Sequence, residues 1–406
     1  MFEKMKMNKE KLLIMTTVML GTIGIGIIIP VMPFYLKEMG SSDVMVTVFV
    51  SVFALCAFLS SPILGVLSDK FGRKPMLLVS EVSTFIGWVV FAFGGSLPVL
   101  LLGRIIDGVA AGNISIAQAY LADLAKDEKE RASNMGLIGA AFGLGFVIGP
   151  ALGSVLSTYS HQLPFIVVGA LSLINTIGIA LFVPESNKNK QKHLKTEINP
   201  LAPIYRAVTD RKLIARYSFW FIFGTVGSLY QAIFALFLIR AFGFTATITG
   251  IFFTAIGIMM VVNQGFVVRK FWLKKFSTDF LEKWPYFFGA ISLVLIATQN
   301  LYLNILAMVF MVFTQSLIHI TTSARFISLA GEHKKGEVLG VLSAIMSLSA
   351  VAGPIIGGIM FEKNISLPFL VGALLMLVVF IFIALIHKKE KKLKIAEEAL
   401  APETVV

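Results

Sequence analysis

The chain has 406 residues, 57% of them hydrophobic and 14% charged, with a mean hydropathy of +0.85. Soluble domains run at about 45–50% apolar and about 25% charged, so a soluble enzyme or a nucleic-acid binder is excluded as the main reading. Lys and Arg number 35 against 23 Asp and Glu, a net +12, and the one cysteine, Cys56, leaves neither an internal disulfide framework nor a multi-Cys zinc site.

A helix needs about 20 apolar residues to cross a bilayer. Twelve such stretches follow in chain order, at 12–36, 45–67, 76–95, 98–122, 134–158, 163–183, 216–240, 246–270, 284–300, 302–328, 337–361 and 366–387. They form two sets of six on either side of the polar stretch 184–215, which holds Asn187, Lys188, Lys190, Lys192 and His193 and reads as a linker. The expected fold is an all-α membrane protein of twelve transmembrane helices in two six-helix bundles. Its parts would be an N-terminal bundle at 1–184, a linker at 185–215, a C-terminal bundle at 216–387 and a tail at 388–406. The first stretch follows Lys4, Lys6, Lys9 and Lys11 and contains Pro30 and Pro33. It is longer than the about 7–15 apolar residues of a signal peptide, so it reads as a retained helix.

Placing both termini in the cytoplasm puts 30 Lys and Arg on the cytoplasmic side. Only Lys37, Arg240 and Lys363 fall on the other side, and Arg104 and Arg325 fall within predicted helices. The positive-inside rule favours this orientation strongly. It also accounts for the net charge without a nucleic-acid partner.

The two sets repeat one another. Gly149-Pro150-Ala151-Leu152-Gly153 lies in the fifth stretch and Gly353-Pro354-Ile355-Ile356-Gly357 in the eleventh, 204 residues apart. Gly65 and Asp69 close the second stretch as Gly265 and Arg269 close the eighth. Repeated halves are the sequence signature of secondary transporters, with a substrate site between them near the midplane.

Charges at membrane depth are costly and by default mark ion or proton pathways. Arg104 and Asp107 share one face of the fourth predicted helix, three residues apart. Asp107 is the expected carrier of a coupling proton and Arg104 its tuning partner, the alternative being a permanent ion pair. Glu81, about one turn inside the third helix from the cytoplasm, is a second candidate, whose plainer reading is reach to the interface. Arg325 reads as a structural side chain that snorkels to the interface. The second half shows no acid well inside its predicted helices. Five scattered histidines form no HExxH pair, and no GxxxxGK[ST] loop is present, so no metal, cofactor or enzymatic chemistry is expected.

Three motifs carry a family resemblance. Residues 65–76 read GVLSDKFGRKPM, residues 101–112 read LLGRIIDGVAAG, and residues 139–153 read GAAFGLGFVIGPALG. With these, along nearly its entire length, the chain resembles the major facilitator superfamily. AYLADLAKDEKERASNMG ahead of the third motif resembles the twelve-helix drug:proton antiporters, tetracycline and Gram-positive multidrug exporters among them. Gly21 stands where the tetracycline exporters carry an Asp, which points to a substrate set other than tetracycline.

The resemblance implies the major facilitator fold and a set of roles. Gly65, Asp69, Gly72, Arg73 and Asp123 would gate, with Asp69 facing the start of the eleventh helix and Arg73 pairing with Asp123. Gly145, Gly149, Pro150 and Gly153 would form the antiporter motif, a tight bent contact between the halves. The first, fourth, seventh and tenth helices would line a cavity, with Thr22, Asn113, Gln118, Gln231, Gln315 and His319 as its polar residues. On an unbroken helix Gln118 returns to the face of Arg104 and Asn113 points away, which favours Gln118. Tyr230, Phe234 and Phe237 could stack on a drug, though packing is their commoner use. The expected function is proton-coupled export of small amphipathic compounds by alternating access. A monomer in a bacterial cytoplasmic membrane would exchange a small molecule for protons. Proton-coupled uptake of a nutrient or metabolite, or a non-transporting sensor on the same fold, are the alternatives.

Overall fold

The computed structural model describes residues 9–187, 199, 201–210, 213–330 and 335–400, without the side chains of 269, 327, 330, 335, 336 and 389–400. Lys188, Lys190, Lys192 and His193 of the linker and Lys334 of the basic count lie outside the described residues. Twelve helices in this part are long and apolar enough to span a membrane. They are α1 (Lys9–Glu38), α2 (Asp43–Phe71), α3 (Arg73–Phe93), α4 (Leu97–Asp123), α5 (Glu128–Leu156) and α6 (Leu163–Phe182). The second six are α7 (Ile214–Phe242), α8 (Ala246–Lys275), α9 (Thr278–Ala297), α10 (Leu301–Phe326), α11 (Glu337–Lys363) and α12 (Leu367–Lys388). The helical backbone of α12 continues to Leu400, into what the sequence reads as tail. A short helix, Ala202–Thr209, interrupts the linker. The side of the linker and of the α2–α3 connection is called the linker side below, and the other the far side.

Each half is built by the same packing. α1 lies along α5 in the first, and α7 along α11 in the second. Glycines allow these approaches, as is usual where lipid provides no hydrophobic drive between helices. A Cβ on Gly149 would lie 2.7 Å from the Ile23 carbonyl, and one on Gly353 would lie 2.6 Å from that of Thr225. The GPxxG repeat thus does the same job twice.

The halves meet through α2 with α11 and α5 with α8, two contacts that the internal repeat exchanges. Both are closed on the far side. Ser154 Oγ donates to the Thr247 carbonyl at 2.7 Å, and Ser51 Oγ donates to the Val351 carbonyl at 2.9 Å. Gly358 packs so tightly on Thr47 that any side chain there would overlap it. Toward the linker side, a Cβ on Gly65, Gly139 or Gly340 would meet nothing within 4 Å.

Two helices depart from regularity. α4 consists of Leu97–Val109 and Asn113–Asp123, separated at 110–112. The Gly108 carbonyl accepts the Ala111 N–H at 3.2 Å in place of its regular helical partner and also accepts from Ser60 Oγ of α2 at 2.9 Å, the kind of repair a break at membrane depth requires. α8 winds into a π-helical stretch at Asn263–Trp272, a feature frequent at functional sites.

Candidate functional site

The break in α4 decides which polar residues meet. Gly87 and Gly103 bring α3 against the first segment of α4, where a Cβ on Gly87 would stand 2.8 Å from that of Asp107. Asp107 and Arg104 are both buried, at 7% and 5% exposure, and Arg104 Nη1 donates to Asp107 Oδ2 at 3.2 Å. The guanidinium lies over Phe53, 4.2 Å from the ring centroid, with Trp88 beside it. Its charge is thereby paired on one face and held by aromatic faces on the others.

Glu81 does not reach an interface. It is 2% exposed and takes hydrogen bonds from Asn175 Nδ2 of α6 at 3.1 Å and from Asn113 Nδ2 at 3.3 Å. Asn175 also donates to Thr17 Oγ1 of α1 at 2.9 Å. Among the described residues no cation faces the Glu81 carboxylate. A buried carboxylate held by neutral amides can exchange a proton without breaking an ion pair. Asp107 cannot do so while paired to Arg104.

Arg104, Asp107 and Asn113 line a cavity of about 460 Å³, with Thr84, Ser61 and Ser115 of the first half and Ser343 and Ser347 of α11. A second chamber of about 180 Å³ shares Arg104 and Phe53 with the first. Apart from Arg104, its walls are apolar except for Ser228 and Gln231 of α7. Asn113 touches both the cavity and Glu81, and so stands between the carboxylate and the open space.

The helical count that favoured Gln118 assumed an unbroken α4. The interruption at 110–112 resets the phase, so Asn113 joins Arg104 in the cavity while Gln118 lies exposed outside its walls. Thr22 is buried against Gly145 of α5, its hydroxyl donating to the Val18 carbonyl at 2.8 Å. Gln231 lines the apolar chamber. Gln315 and His319 are not among the wall residues of either chamber, and the His319 ring lies 5.4 Å from that of Trp220. Tyr230, Phe234 and Phe237 are buried in the core of the second half.

At the linker side the signature residues cluster. Arg73 pairs with Asp69 at 2.6 Å and with Asp123 at 3.1 Å, and Gly72, at φ +113°, makes the turn between α2 and α3. The α11 helix, whose start Asp69 was expected to face, runs from Lys335, and among the described residues Asp69 makes no hydrogen bond or ion pair with it. The motif glycines Gly145, Gly149 and Gly153 share one face of α5 and pack on α1 within their own half. The contact with the other half falls to the adjoining face, where Gly250 of α8 abuts Ser154 and the Pro150 carbonyl.

Two ionic groups were missed by the sequence reading. Asp43, at the far-side start of α2, has a side chain with 0% exposure. It pairs with Lys37 at 2.7 Å and with Arg240 of α7, which bridges to the other half and stacks on Phe361. Glu282 lies buried inside α9, which begins at Thr278 rather than 284. The charged first turn had hidden it from a hydropathy window. It pairs with Arg216, with His387 at 2.9 Å and with Arg325 at 3.7 Å, so Arg325 is held in a cluster rather than snorkelling alone. Asp279, Glu282 and His387 bring ligand atoms within 4.8 Å of one another. The two arginines at Glu282 already supply the positive charge there, and the group fits an ion-pair cluster better than a metal.

Two six-helix repeats around a midplane cavity with embedded charges define a secondary transporter. The chain belongs to the Major Facilitator Superfamily, whose family model matches residues 14–281 and 284–404. It is 30% identical over 386 residues to the class C tetracycline resistance protein of Escherichia coli, covering 92% of this chain and 96% of that one. It is 29% identical to multidrug resistance protein 2 of Bacillus subtilis (strain 168), covering 92% and 95%. Among solved structures the nucleoside transporter NupG shares the fold, with a TM-score of 0.77 at 14% identity over 93% of this chain and 98% of that one. The protein is a multi-pass membrane transporter and not an enzyme.

Proposed function

We propose that the protein exports small, partly apolar compounds in exchange for protons, from the cytoplasm of a bacterial cell and as a monomer. The linker side is then the cytoplasmic side, as the 30-to-3 distribution of Lys and Arg indicates, with both termini there. The observation that carries this reading is the pair of buried carboxylates, Glu81 and Asp107, joined to an open cavity by Asn113. In the inward-open state a drug enters from the linker side, its apolar part toward the chamber of Ile28, Met32 and Val50. Its polar part meets the Arg104–Asp107 pair. A cationic group of the drug that offsets the Asp107 charge, with Asn113 still donating to the carboxylate, favours loss of the proton from Glu81 to the cytoplasm. The halves then rock. The far side opens, the drug leaves and a proton from outside resets Glu81. Gly65, Asp69, Gly72, Arg73 and Asp123 act as the linker-side gate, and Gly145, Gly149, Pro150 and Gly153 hold α5 as a stiff lever. The similarity to tetracycline and multidrug resistance proteins supports a drug as the exported molecule.

The test is proton movement in proteoliposomes under an imposed pH gradient, with a panel of cationic, zwitterionic and neutral drugs. Drug-triggered proton release should occur in the wild type and vanish in Glu81→Gln, with drug binding retained. Release that persists in Glu81→Gln would overturn Glu81 as the carrier, and its loss in Asp107→Asn alone would move that role to Asp107. Silence across the panel, in folded protein, would overturn drug:proton exchange itself.

A further inference from the structure

We infer that the linker-side ends of α8 and α9 form a binding site for an anionic phospholipid, with one acyl chain seated in an aromatic groove and the headgroup held by lysines. The groove has a volume of about 240 Å³ and is walled by Trp272, Phe280, Trp284, Phe288, Phe310 and Phe313. α9 packs on α10 and α12, which leaves its outer face to the bilayer. Trp272 closes the π-helical stretch of α8, and its indole nitrogen is buried with no acceptor. An indole N–H is a donor only, and it normally finds a partner when buried. A small turn of the ring toward the mouth of the groove would bring it to a lipid phosphate or ester oxygen.

The charge around the groove points the same way, and the internal repeat provides the comparison. In the first half, two of the three basic residues of the α2–α3 connection are engaged within the protein, and Lys70 lies over the Phe71 ring. Arg73 pairs with Asp69 and Asp123, and Lys74 Nζ donates to the Ala180 carbonyl. In the corresponding α8–α9 region, Lys270, Lys274, Lys275 and Lys283 have no ion pair among the described residues. Three of them instead lie over aromatic rings, Lys283 over that of Trp284 in the groove wall. Unspent cations beside an apolar slot at the edge of the bilayer suit a headgroup of net negative charge. Basic pockets between helices on this side of a membrane are a general form of such recognition.

Tryptophan fluorescence tests this without reference to transport. Trp88 and Trp220 are buried, at 4% and 1% exposure, whereas Trp272 and Trp284 wall the groove. The full chain is reconstituted in phosphatidylcholine vesicles, and phosphatidylglycerol brominated in its acyl chains is added in steps. Half-maximal quenching should come at about fivefold lower mole fraction than with brominated phosphatidylcholine, the preference expected from one lysine–lipid contact. The triple variant Lys274→Gln/Lys275→Gln/Lys283→Gln should bring the two curves together, and Trp272→Phe/Trp284→Phe should remove the quenchable emission. Native mass spectrometry of the same proteins should show phosphatidylglycerol retained in the wild type and lost in the lysine variant. Coincident curves for the two lipids in the wild type, or a phosphatidylglycerol advantage that survives the triple variant, would overturn the site.

Discussion

Glu81 and Asp107 occupy the same half of the molecule but have different neighbours, and the difference predicts different behaviour on substitution. Asn175 gives Glu81 a donor, and its own carbonyl oxygen, Oδ1, is buried without a partner. An amide in that position can serve both forms of the acid, donating to the carboxylate and, after a flip, accepting from the carboxyl. Asn175→Ala removes a donor that favours the ionised form, so the profile of drug-triggered proton flux against pH should move to higher pH. A titration of flux between mildly acid and mildly alkaline pH reads this directly, and an unmoved midpoint would confine Asn175 to packing. For Asp107→Asn the prediction concerns Arg104. Leaving a buried guanidinium without its carboxylate costs about 3–5 kcal/mol, so this variant should also lose thermal stability, which Glu81→Gln should not. The importance of Arg104 and Asp107 could be read from the sequence, because a charge in an apolar run stands out in one dimension. Asn175 could not, since a single amide in a helix gives no sign of what it faces.

Among the elements, α4 and α5 show where a helical count holds and where it fails. On α5 the glycines at four-residue spacing do share one face, because the helix is continuous through Pro150. On α4 the same arithmetic assigned Gln118 and Asn113 the wrong way round, because three residues at 110–112 break the phase. Nothing in Ala110-Ala111-Gly112 marks a break more strongly than the other small residues of these helices. Alanine substitutions separate the two kinds of glycine. Gly149→Ala presses on the Ile23 carbonyl and the Gly26 backbone, a backbone contact that cannot yield, and should destabilise by about 1–3 kcal/mol. Gly139→Ala has open space and should leave the melting temperature unchanged. Equal melting temperatures for the two variants would show that α1 and α5 can separate at little cost.

For the molecule as a whole, the charge pattern and the GPxxG repeat made twelve helices in two halves legible, since both follow from solvation and repetition. Which side is closed was not legible, because it depends on contacts between residues from 93 to 300 positions apart. Asp43 joins the halves on the far side through Arg240, and this pair should favour the inward-open state. Because Arg240 is 44% exposed, its loss is worth on the order of 1 kcal/mol, or about fivefold in the ratio of states. A cysteine at Thr47, buried in the far-side contact, reports the change. In a Cys56→Ser background, Thr47→Cys should react several-fold faster with a membrane-impermeant maleimide when Arg240→Ala is added. No change in rate would mean that helix packing alone keeps the far side shut.

All charged groups in the cavity walls come from the first half, whereas α7 and α11 contribute only serines, an amide and apolar side chains. Under the proposed exchange, the charged groups and half of the recognition surface are therefore carried on separate stretches of chain. Substitutions in α7 and α11 would then redraw the list of accepted molecules while leaving Glu81, Arg104 and Asp107 untouched, so a new substrate range would be reached by single steps in the second half.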